Sequence, residues 1–223
     1  MRRDDELRAV LFDFDGTLAP SLPLWLKAYQ IALAKFAIAI SDDEVLRRCF
    51  FRDWAEVAAD FGVCTGEQMR IEVGHGLHEA FASAVLFPQA RALIEHCRAH
   101  GLQTALVTSA PRELIASVAM RLDIEHLFDF VICGDEVANY KPHPEPVLTT
   151  LRALGCDAAH AIMIGDSHAD VLAGKAAGTR TALFMPDDHH RFHDPERLRA
   201  SAPDFIFVDH GELPGLLGLG PLS

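Results

Sequence analysis

Two aspartates indicate the chemistry of this sequence. Asp13 and Asp15 stand two residues apart, directly after the apolar run 9–12 and on either side of Phe14, with Gly16 next in the chain. In open α/β sheets, ligands bind just beyond the carboxyl ends of the strands. Two carboxylates held this close raise each other's pKa unless a cation lies between them. The pattern predicts a metal-dependent catalytic loop. An ordinary acidic turn is the alternative, because Asp-Gly pairs are common in turns.

A pair of hydroxyl groups follows another apolar run. Thr108 and Ser109 come directly after residues 104–107, and Pro111 then opens a helical pattern. Hydroxyl groups and free backbone amides at a helix N-terminus favour an anion, so both residues are candidates to bind phosphate oxygens. Ser109 could equally be the N-cap of that helix.

A lysine and a second acidic pair complete the set. Prolines follow Lys141 and keep the backbone extended there, and a fixed ammonium acts on phosphate as a point charge. Asp166 and Asp170 follow the apolar run 161–164 and stand one helical turn apart. Carboxylate oxygens at a strand end suit Mg²⁺. The alternatives are a surface lysine in a proline-rich loop, and a helix N-cap followed by an exposed acid.

Short apolar runs alternate with helical patterns along most of the chain. This alternation predicts an α/β fold, in which helices cover both faces of a parallel sheet. Because the carboxyl ends of parallel strands converge in space, the polar groups that follow them should lie together. The predicted strands are 10–12, 104–107, 130–132, 161–164, 181–184 and 205–208, and the predicted helices are 88–100, 112–122, 145–154 and 168–177.

Residues 20–86 interrupt the alternation, because they carry helical periodicity and no convincing strand. Trp25, Tyr29 and Leu33 recur at fourfold spacing, and Gly62 is placed to end a later helix. The stretch is too long for a loop in a compact domain. We therefore predict a catalytic core made of residues 1–19 and 87–223, with a helical insertion at 20–86.

Composition narrows the classes of partner. The net charge of −12 over 223 residues argues against nucleic acid, whose phosphates require a basic face. No run approaches the ~18 apolar residues of a membrane span, and the charged N-terminus does not resemble a signal peptide. The five cysteines are scattered and form no C-x-x-C pair. This is typical of free thiols in a reducing compartment, so we expect a cytoplasmic protein.

Two polar stretches carry weaker signals. Arg47 and Arg52, near Trp54 in the insertion, are candidates to bind an anionic substrate tail, although a solvated charged helix face is the favoured interpretation. Residues 187–193 include three histidines, at 189, 190 and 193. Such a cluster can bind metal, but we predict a solvated surface loop.

The motifs together resemble the haloacid dehalogenase-like hydrolase superfamily. The matching segments are 13–18 (Asp-Phe-Asp-Gly-Thr-Leu), Thr108, Lys141 with Pro142, and 165–170 (Gly-Asp-Ser-His-Ala-Asp). The resemblance covers most of the chain outside residues 20–86. It implies a Rossmann-like core with an inserted helical cap domain, of the phosphoglycolate phosphatase type.

The resemblance also implies a role for each acidic residue. Asp13 would be the nucleophile that attacks phosphorus and forms an aspartyl-phosphate, and Asp15 would be the general acid and then the general base. Mg²⁺ would be held by the Asp13 carboxylate, the Asp15 backbone carbonyl and Asp166. Asp170 would support the metal or its waters, or orient Lys141.

The remaining matches imply phosphoryl binding and a choice of reaction. Thr108 and Lys141 would bind the transferring oxygens, helped by the backbone amide near Ser109. The dehalogenase and phosphonate-cleaving branches of the family lack an acidic residue at the position of Asp15. The presence of Asp15 therefore favours a phosphatase acting on a small phosphorylated metabolite. Phosphoglycolate, sugar phosphates, nucleotides and pyrophosphate all stay open as substrates, and the protein would be a monomer or homodimer.

Two other functions stay open at this point. A sugar-phosphate mutase of the same family keeps both Asp13 and Asp15. A receiver-like signalling module also combines acids, a hydroxyl group and a lysine around Mg²⁺. It is the weaker alternative, because its phosphorylated aspartate lies on a later strand than its acidic pair, and because it has no large helical insertion.

Overall fold

The computed structural model describes residues 6–50 and 52–222. The chain forms two compact units. One unit, the core, combines Met1–Pro20 with Val85–Ser223, and the other, the helical unit, is Ser21–Ala84. No helix in the described part of the chain is both long enough and apolar enough to cross a membrane.

A parallel six-stranded sheet organises the core, in the order β3-β2-β1-β4-β5-β6. The predicted α/β fold is confirmed, and the observed strand ends lie within one residue of the predicted ones. The strands are β1 (Ala9–Phe12), β2 (Gln103–Val107), β3 (Phe130–Ile132), β4 (Ala161–Gly165), β5 (Arg180–Phe184) and β6 (Phe205–Phe207). All four residues of β1 are buried, as expected for a central strand that is covered on both faces.

The order of the strands fixes where a ligand can bind. β1 pairs in register with β2 on one side and with β4 on the other. The chain builds outward from β1 to β3 and then crosses to the opposite side of β1 to begin β4. Such a reversal opens a crevice beyond the carboxyl ends of the two strands that flank it. The loops after β1 and β4 therefore meet at this crevice.

Helices cover the sheet. The core helices are α5 (Ala90–Ala99), α6 (Arg112–Arg121), α7 (Glu145–Leu154), α8 (His168–Ala177), α9 (Pro195–Ala200) and α10 (Leu213–Leu216). On one face, Leu11, Val107 and Met163 pack with residues of α7 and α8 in a single buried cluster. Side chains alternate along a strand, so Val10 and Phe12 of β1 point to the opposite face.

The helical unit consists of four helices in its described residues. They are α1 (Leu22–Lys35), α2 (Asp42–Arg48), α3 (Trp54–Phe61) and α4 (Gly66–Phe81). Gly62 ends α3 in the left-handed conformation, with φ of 68°. Within α4, Gly76 lets the helix approach the backbone of α1, because a Cβ at this position would lie 2.5 Å from the carbonyl oxygen of Ala28.

Candidate active site at the carboxyl edge of the sheet

The loop after β1 holds Asp13 at the end of the sheet. The Asp13 N–H donates to the carbonyl of Ile164 at 2.8 Å, so the residue is still bound to β4. The carbonyl of Phe14 then accepts hydrogen bonds from the amides of Thr17, Leu18 and Ala19. This tight turn fixes the direction in which the Asp13 side chain leaves the strand.

Two glycines make room for the carboxylates. Gly16 has φ of +72°, in the left-handed region that favours glycine, and a Cβ there would overlap the carboxylate of Asp166. Gly165, the last residue of β4, has no side chain where the carboxylate of Asp170 lies. The close approach of an acid therefore requires glycine at both positions, and at Gly16 the backbone conformation favours it as well.

Lys141 joins the loops after three strands. Its Nζ lies 2.9 Å from Asp13 Oδ1 and 2.6 Å from Asp170 Oδ1. It also donates to the carbonyl of Val107 at 2.9 Å, at the end of β2. Burial alone lowers the pKa of Lys141, but the charges of Asp13 and Asp170 outweigh burial and raise the pKa above its ordinary value. Lys141 is therefore a fixed, buried ammonium.

Asp170 uses both of its oxygens within the core. Oδ1 accepts from Lys141, and Oδ2 accepts from the Ser167 hydroxyl at 2.5 Å and the Ser167 amide at 3.1 Å. Ser167 is the N-cap of α8 and forms a capping box with Asp170. Asp170 is therefore bonded both to Lys141 and to the start of α8.

The carboxylates crowd around Asp13. One oxygen each of Asp13, Asp166 and Asp170 lie within 4.8 Å of one another, and all three residues are buried. Burial raises the pKa of Asp13; Lys141 lowers it, but Asp170, Asp166 and Asp15 raise it further, and the net result is well above the ordinary value. An all-oxygen set of this kind suits Mg²⁺.

Asp15 lies beside this cluster. It is half-buried, and its backbone forms an isolated bridge with Ala19 across the turn. It is close enough for its charge to act on Asp13. The predicted acidic pair is therefore held on one short loop.

The two predicted hydroxyl groups are in different environments. Thr108 is buried, and its Oγ1 accepts from the amide of Ala110 at 3.1 Å. Ser109 is exposed. It is not the N-cap of α6, a position that Pro111 occupies. Both hydroxyl groups follow β2 directly, at the same edge of the sheet as Asp13.

The predicted arginines belong to the helical unit. Arg47 is exposed near the end of α2. Arg52 lies 3.5 Å from Asp60 and 3.7 Å from Glu56, and Arg48 donates to Asp60 at 2.7 Å. Two of the three arginines thus pair with acids of their own unit.

The histidine segment is not a solvated loop, and this prediction was wrong. His189 and His193 are only 4% and 7% exposed, while His190 between them is exposed. His193 Nε2 donates to Asp166 Oδ2 at 2.8 Å, and His189 Nδ1 lies 3.8 Å from the same oxygen. The signal that could have found them is position, because the segment follows the carboxyl end of β5 just as the other motifs follow their strands.

A third buried histidine touches the catalytic loop and was also missed. His210, after β6, donates from Nε2 to the carbonyl of Thr17 at 2.9 Å. Its ring lies 4.4 Å from that of Phe184 and 5.8 Å from that of Phe87. Burial in this aromatic cluster lowers its pKa from 6.5 to about 4. His210 is therefore neutral at pH 7.

The sequence model of the haloacid dehalogenase-like hydrolase family matches residues 10–184, a range that contains every core residue predicted for the site. The chain belongs to this family. The resemblance seen in the motifs is thereby confirmed.

Curated relatives agree with the family and match nearly their whole length. The chain is 29% identical to the phosphoglycolate phosphatase of Yersinia pestis over 227 residues, covering 97% of this chain and 96% of the relative. It is also 29% identical to the phosphoglycolate phosphatase of Salmonella typhimurium over 246 residues, covering 98% and 96%.

Solved structures confirm the fold. The structure of CbbY from Rhodobacter sphaeroides in complex with phosphate superposes with a TM-score of 0.82 at 23% identity, covering 96% of this chain and 99% of that one. A predicted phosphoglycolate phosphatase from Haemophilus somnus gives a TM-score of 0.80 at 23% identity, covering 94% and 97%.

Proposed function

We propose that this protein is a Mg²⁺-dependent phosphatase that hydrolyses a small phosphomonoester through an aspartyl-phosphate on Asp13. The observation that carries the proposal is the position of Lys141, whose ammonium lies 2.9 Å from Asp13 Oδ1. A carboxylate nucleophile and a phosphate dianion repel each other, and a fixed cation beside the nucleophile offsets that repulsion. The phosphatase relatives support the same assignment.

The donor set of the site fits a hard divalent cation. Asp13 and Asp166 would hold Mg²⁺ with the backbone carbonyl of Asp15, and Asp170 would keep Lys141 in place. The raised pKa of Asp13 supports this assignment, because a divalent cation beside the carboxylate would favour its ionised form. When bound, Mg²⁺ supplies charge neutralisation and alignment of the phosphoryl group.

The residues of the chain then divide the reaction into two displacements. Asp13 attacks phosphorus, the bond from phosphorus to the ester oxygen breaks, and Asp15 gives its proton to the leaving alcohol. Water next attacks the aspartyl-phosphate, Asp15 takes a proton from that water, and inorganic phosphate leaves Asp13. Lys141 and Thr108 bind the phosphoryl oxygens throughout, with the backbone amide of Ser109. Each displacement has a lower barrier than direct hydrolysis.

The substrate that we propose first is 2-phosphoglycolate, because both curated relatives reported above are named for it. The helical unit is the proposed source of substrate specificity. Arg47 and Arg52 stay our candidates for the carboxylate end of the substrate. Arg47 is the better of the two, since Arg52 already pairs with Glu56 and Asp60.

We also propose a reducing, cytoplasmic setting and a monomer or homodimer. All five cysteines are free thiols. Burial raises the pKa of Cys49 to about 11 and the pKa values of Cys97 and Cys133 to about 12. Such thiols stay protonated at pH 7 and react slowly with oxidants.

The decisive experiment is phosphate release from a panel of phosphomonoesters with and without Mg²⁺. The panel should include 2-phosphoglycolate, sugar phosphates and nucleotides, and the products should also be examined for phosphosugar isomers. We expect Mg²⁺-dependent phosphate release that falls by at least about 10³-fold in Asp13→Asn. Absence of release from every ester in the presence of Mg²⁺ would refute the phosphatase. Isomer formation without release would identify a mutase.

A further inference from the structure

Asp166, His189 and His193 form a second cluster of ligand atoms, here called the histidine cluster. One oxygen of Asp166 and one ring nitrogen of each histidine lie within 4.8 Å of one another, and all three residues are buried. Asp166 Oδ2 is the shared atom, at 2.8 Å from His193 Nε2 and 3.8 Å from His189 Nδ1. Both histidines are thus directed at the same carboxylate oxygen.

An independent observation concerns His189. Its Nδ1 is buried and has no hydrogen-bond partner within residues 6–50 and 52–222. The distance of 3.8 Å to Asp166 Oδ2 is too long for a hydrogen bond. A buried polar atom without a partner costs free energy, and structures rarely retain one without a reason. A cation between Nδ1 and Oδ2 would satisfy both atoms.

The spacing of the cluster suits a metal ion. Ligands at ~2.1 Å from a metal lie ~3.0–3.4 Å apart at octahedral or tetrahedral angles. The observed contacts of 2.8 and 3.8 Å lie on either side of that range, so small side-chain movements would bring the three atoms to coordination distance. The ring of His189 is packed 5.7 Å from Phe184 and 5.9 Å from Phe87, which restricts its orientation.

The kind of metal follows from the ligands. Two imidazole nitrogens and one carboxylate oxygen suit borderline divalent ions such as Zn²⁺, Co²⁺, Mn²⁺ or Fe²⁺. Mg²⁺ prefers an oxygen set, such as Asp13 with Asp166. A carboxylate has two oxygens, and Asp166 Oδ1 points elsewhere, to Thr17 Oγ1 at 3.4 Å. Asp166 Oδ1 is therefore not taken up by the two histidines.

From this geometry we infer that Asp166, His189 and His193 bind a borderline divalent transition-metal ion at a site beside the oxygen cluster of Asp13. Binding replaces the hydrogen bond of His193, and the Nε2 proton moves to Nδ1 of the same ring or to solvent. The competing explanation is that His193 only orients Asp166 through its hydrogen bond. The two explanations differ over His189, which makes no hydrogen bond to Asp166 and affects Co²⁺ binding directly only if it is a ligand.

The test uses Co²⁺ as the probe, because its visible absorption reports nitrogen coordination. Full-length protein is titrated with Co²⁺ in a large excess of Mg²⁺, and the visible band and the melting temperature are followed. We expect about one equivalent of Co²⁺ to bind with a visible band and to raise the melting temperature. His189→Ala and His193→Ala should each weaken binding by at least about tenfold. His190→Ala, in the same segment but exposed, is the matched control and should bind as the wild type does.

Three outcomes would overturn the inference. They are the absence of a Mg²⁺-resistant band, binding by His189→Ala that equals the wild type, and loss of the band in His190→Ala. A variant that unfolds is recognised by its melting temperature before Co²⁺ is added, and His189→Asn then replaces it.

Metal binding by the histidine cluster does not depend on phosphatase turnover. The experiments can therefore refute either proposal without refuting the other. Asp13→Asn should lose activity yet keep the Mg²⁺-resistant Co²⁺ band. A wild-type protein that shows the Co²⁺ band but releases no phosphate would refute the proposed phosphatase activity and would still support the metal site at the histidine cluster.

Discussion

The two sides of Asp166 are built in different ways. On one side, Asp13, Asp170 and Lys141 leave the ends of strands or are tied to them by hydrogen bonds. On the other side, His189, His193 and His210 come from the segments after β5 and β6 and contact Asp166 or the loop after β1. The first arrangement follows from the topology of the sheet, whereas the second depends on how irregular segments pack.

The two sides also differ in how they are stabilised. Around Lys141, full charges face each other at 2.6 and 2.9 Å, and removing one leaves the others buried and uncompensated. Around His189 and His210, aromatic rings pack at centroid distances of 4.4 to 6.0 Å. Removing a charge from the charged side should therefore lower the stability of the protein. On the aromatic side, stability should fall when a buried histidine becomes charged.

The largest effect is expected from Lys141→Met. The change removes the ammonium from two buried carboxylates, and such a loss typically costs about 3–5 kcal/mol of stability. It also removes the cation beside the nucleophile, so we expect phosphate release to fall by about 10²–10³-fold or more. Urea denaturation and the phosphatase assay measure the two effects.

The matched control for this prediction is Lys27→Met, which removes an exposed lysine of α1. It should change stability by no more than about 0.5 kcal/mol. A Lys141→Met protein as stable and active as the control would show that the charged side is not organised by Lys141.

The next effect is expected from Gly16→Ala, compared with Gly62→Ala. The two glycines have nearly the same φ, +72° and +68°, so an alanine costs about 1–2 kcal/mol of backbone strain at either. Only at Gly16 would the new Cβ overlap Asp166, because nothing lies within 4 Å of the corresponding position at Gly62. We expect phosphate release to fall about 10²-fold in Gly16→Ala alone.

This pair of variants separates strain from displacement of Asp166. If both lose activity equally, backbone strain would explain the loss and the contact with Asp166 would be unimportant. Because Asp166 belongs to both sides, Gly16→Ala should also weaken Mg²⁺-resistant Co²⁺ binding, while Gly62→Ala should not.

The strand-end side was predictable from sequence for a physical reason. Apolar runs of four or five residues mark buried parallel strands, and a polar residue that follows such a run has a defined place in space. This rule predicted the sheet correctly, and Asp13, Thr108 and Asp166 lie at its carboxyl edge as the rule predicts. Lys141 lies well beyond the end of β3, and the prolines that follow it, not a strand end, were its signal in the sequence.

The histidine side also follows a strand end, β5, but its composition points to a different structure. Residues 187–193 are polar, and polarity favours a solvated loop. The burial of His189 and His193 depends on tertiary contacts with Phe87 and Phe184 that no local pattern records. The i, i+4 spacing of the two histidines after a strand end was the available signal, and it indicates a shared direction only if the segment is helical.

The smallest effect, and the one specific to the aromatic side, concerns pH. The pKa of His210 is lowered from 6.5 to about 4 in the folded protein, so between these values the unfolded chain binds more protons. Stability is therefore fully present above pH 6.5 and decreases as pH falls toward 4. The contribution amounts to about 2 kcal/mol between pH 7 and pH 5.

His210→Gln, which has no ring to protonate, should lose about 2 kcal/mol less than the wild type over that interval, measured by urea denaturation at each pH. His190→Gln, at an exposed histidine, should retain the slope of the wild type. If His210→Gln and the wild type had parallel pH profiles, gain of charge on the aromatic side would not limit stability, and the contrast drawn between the two sides of Asp166 would fail.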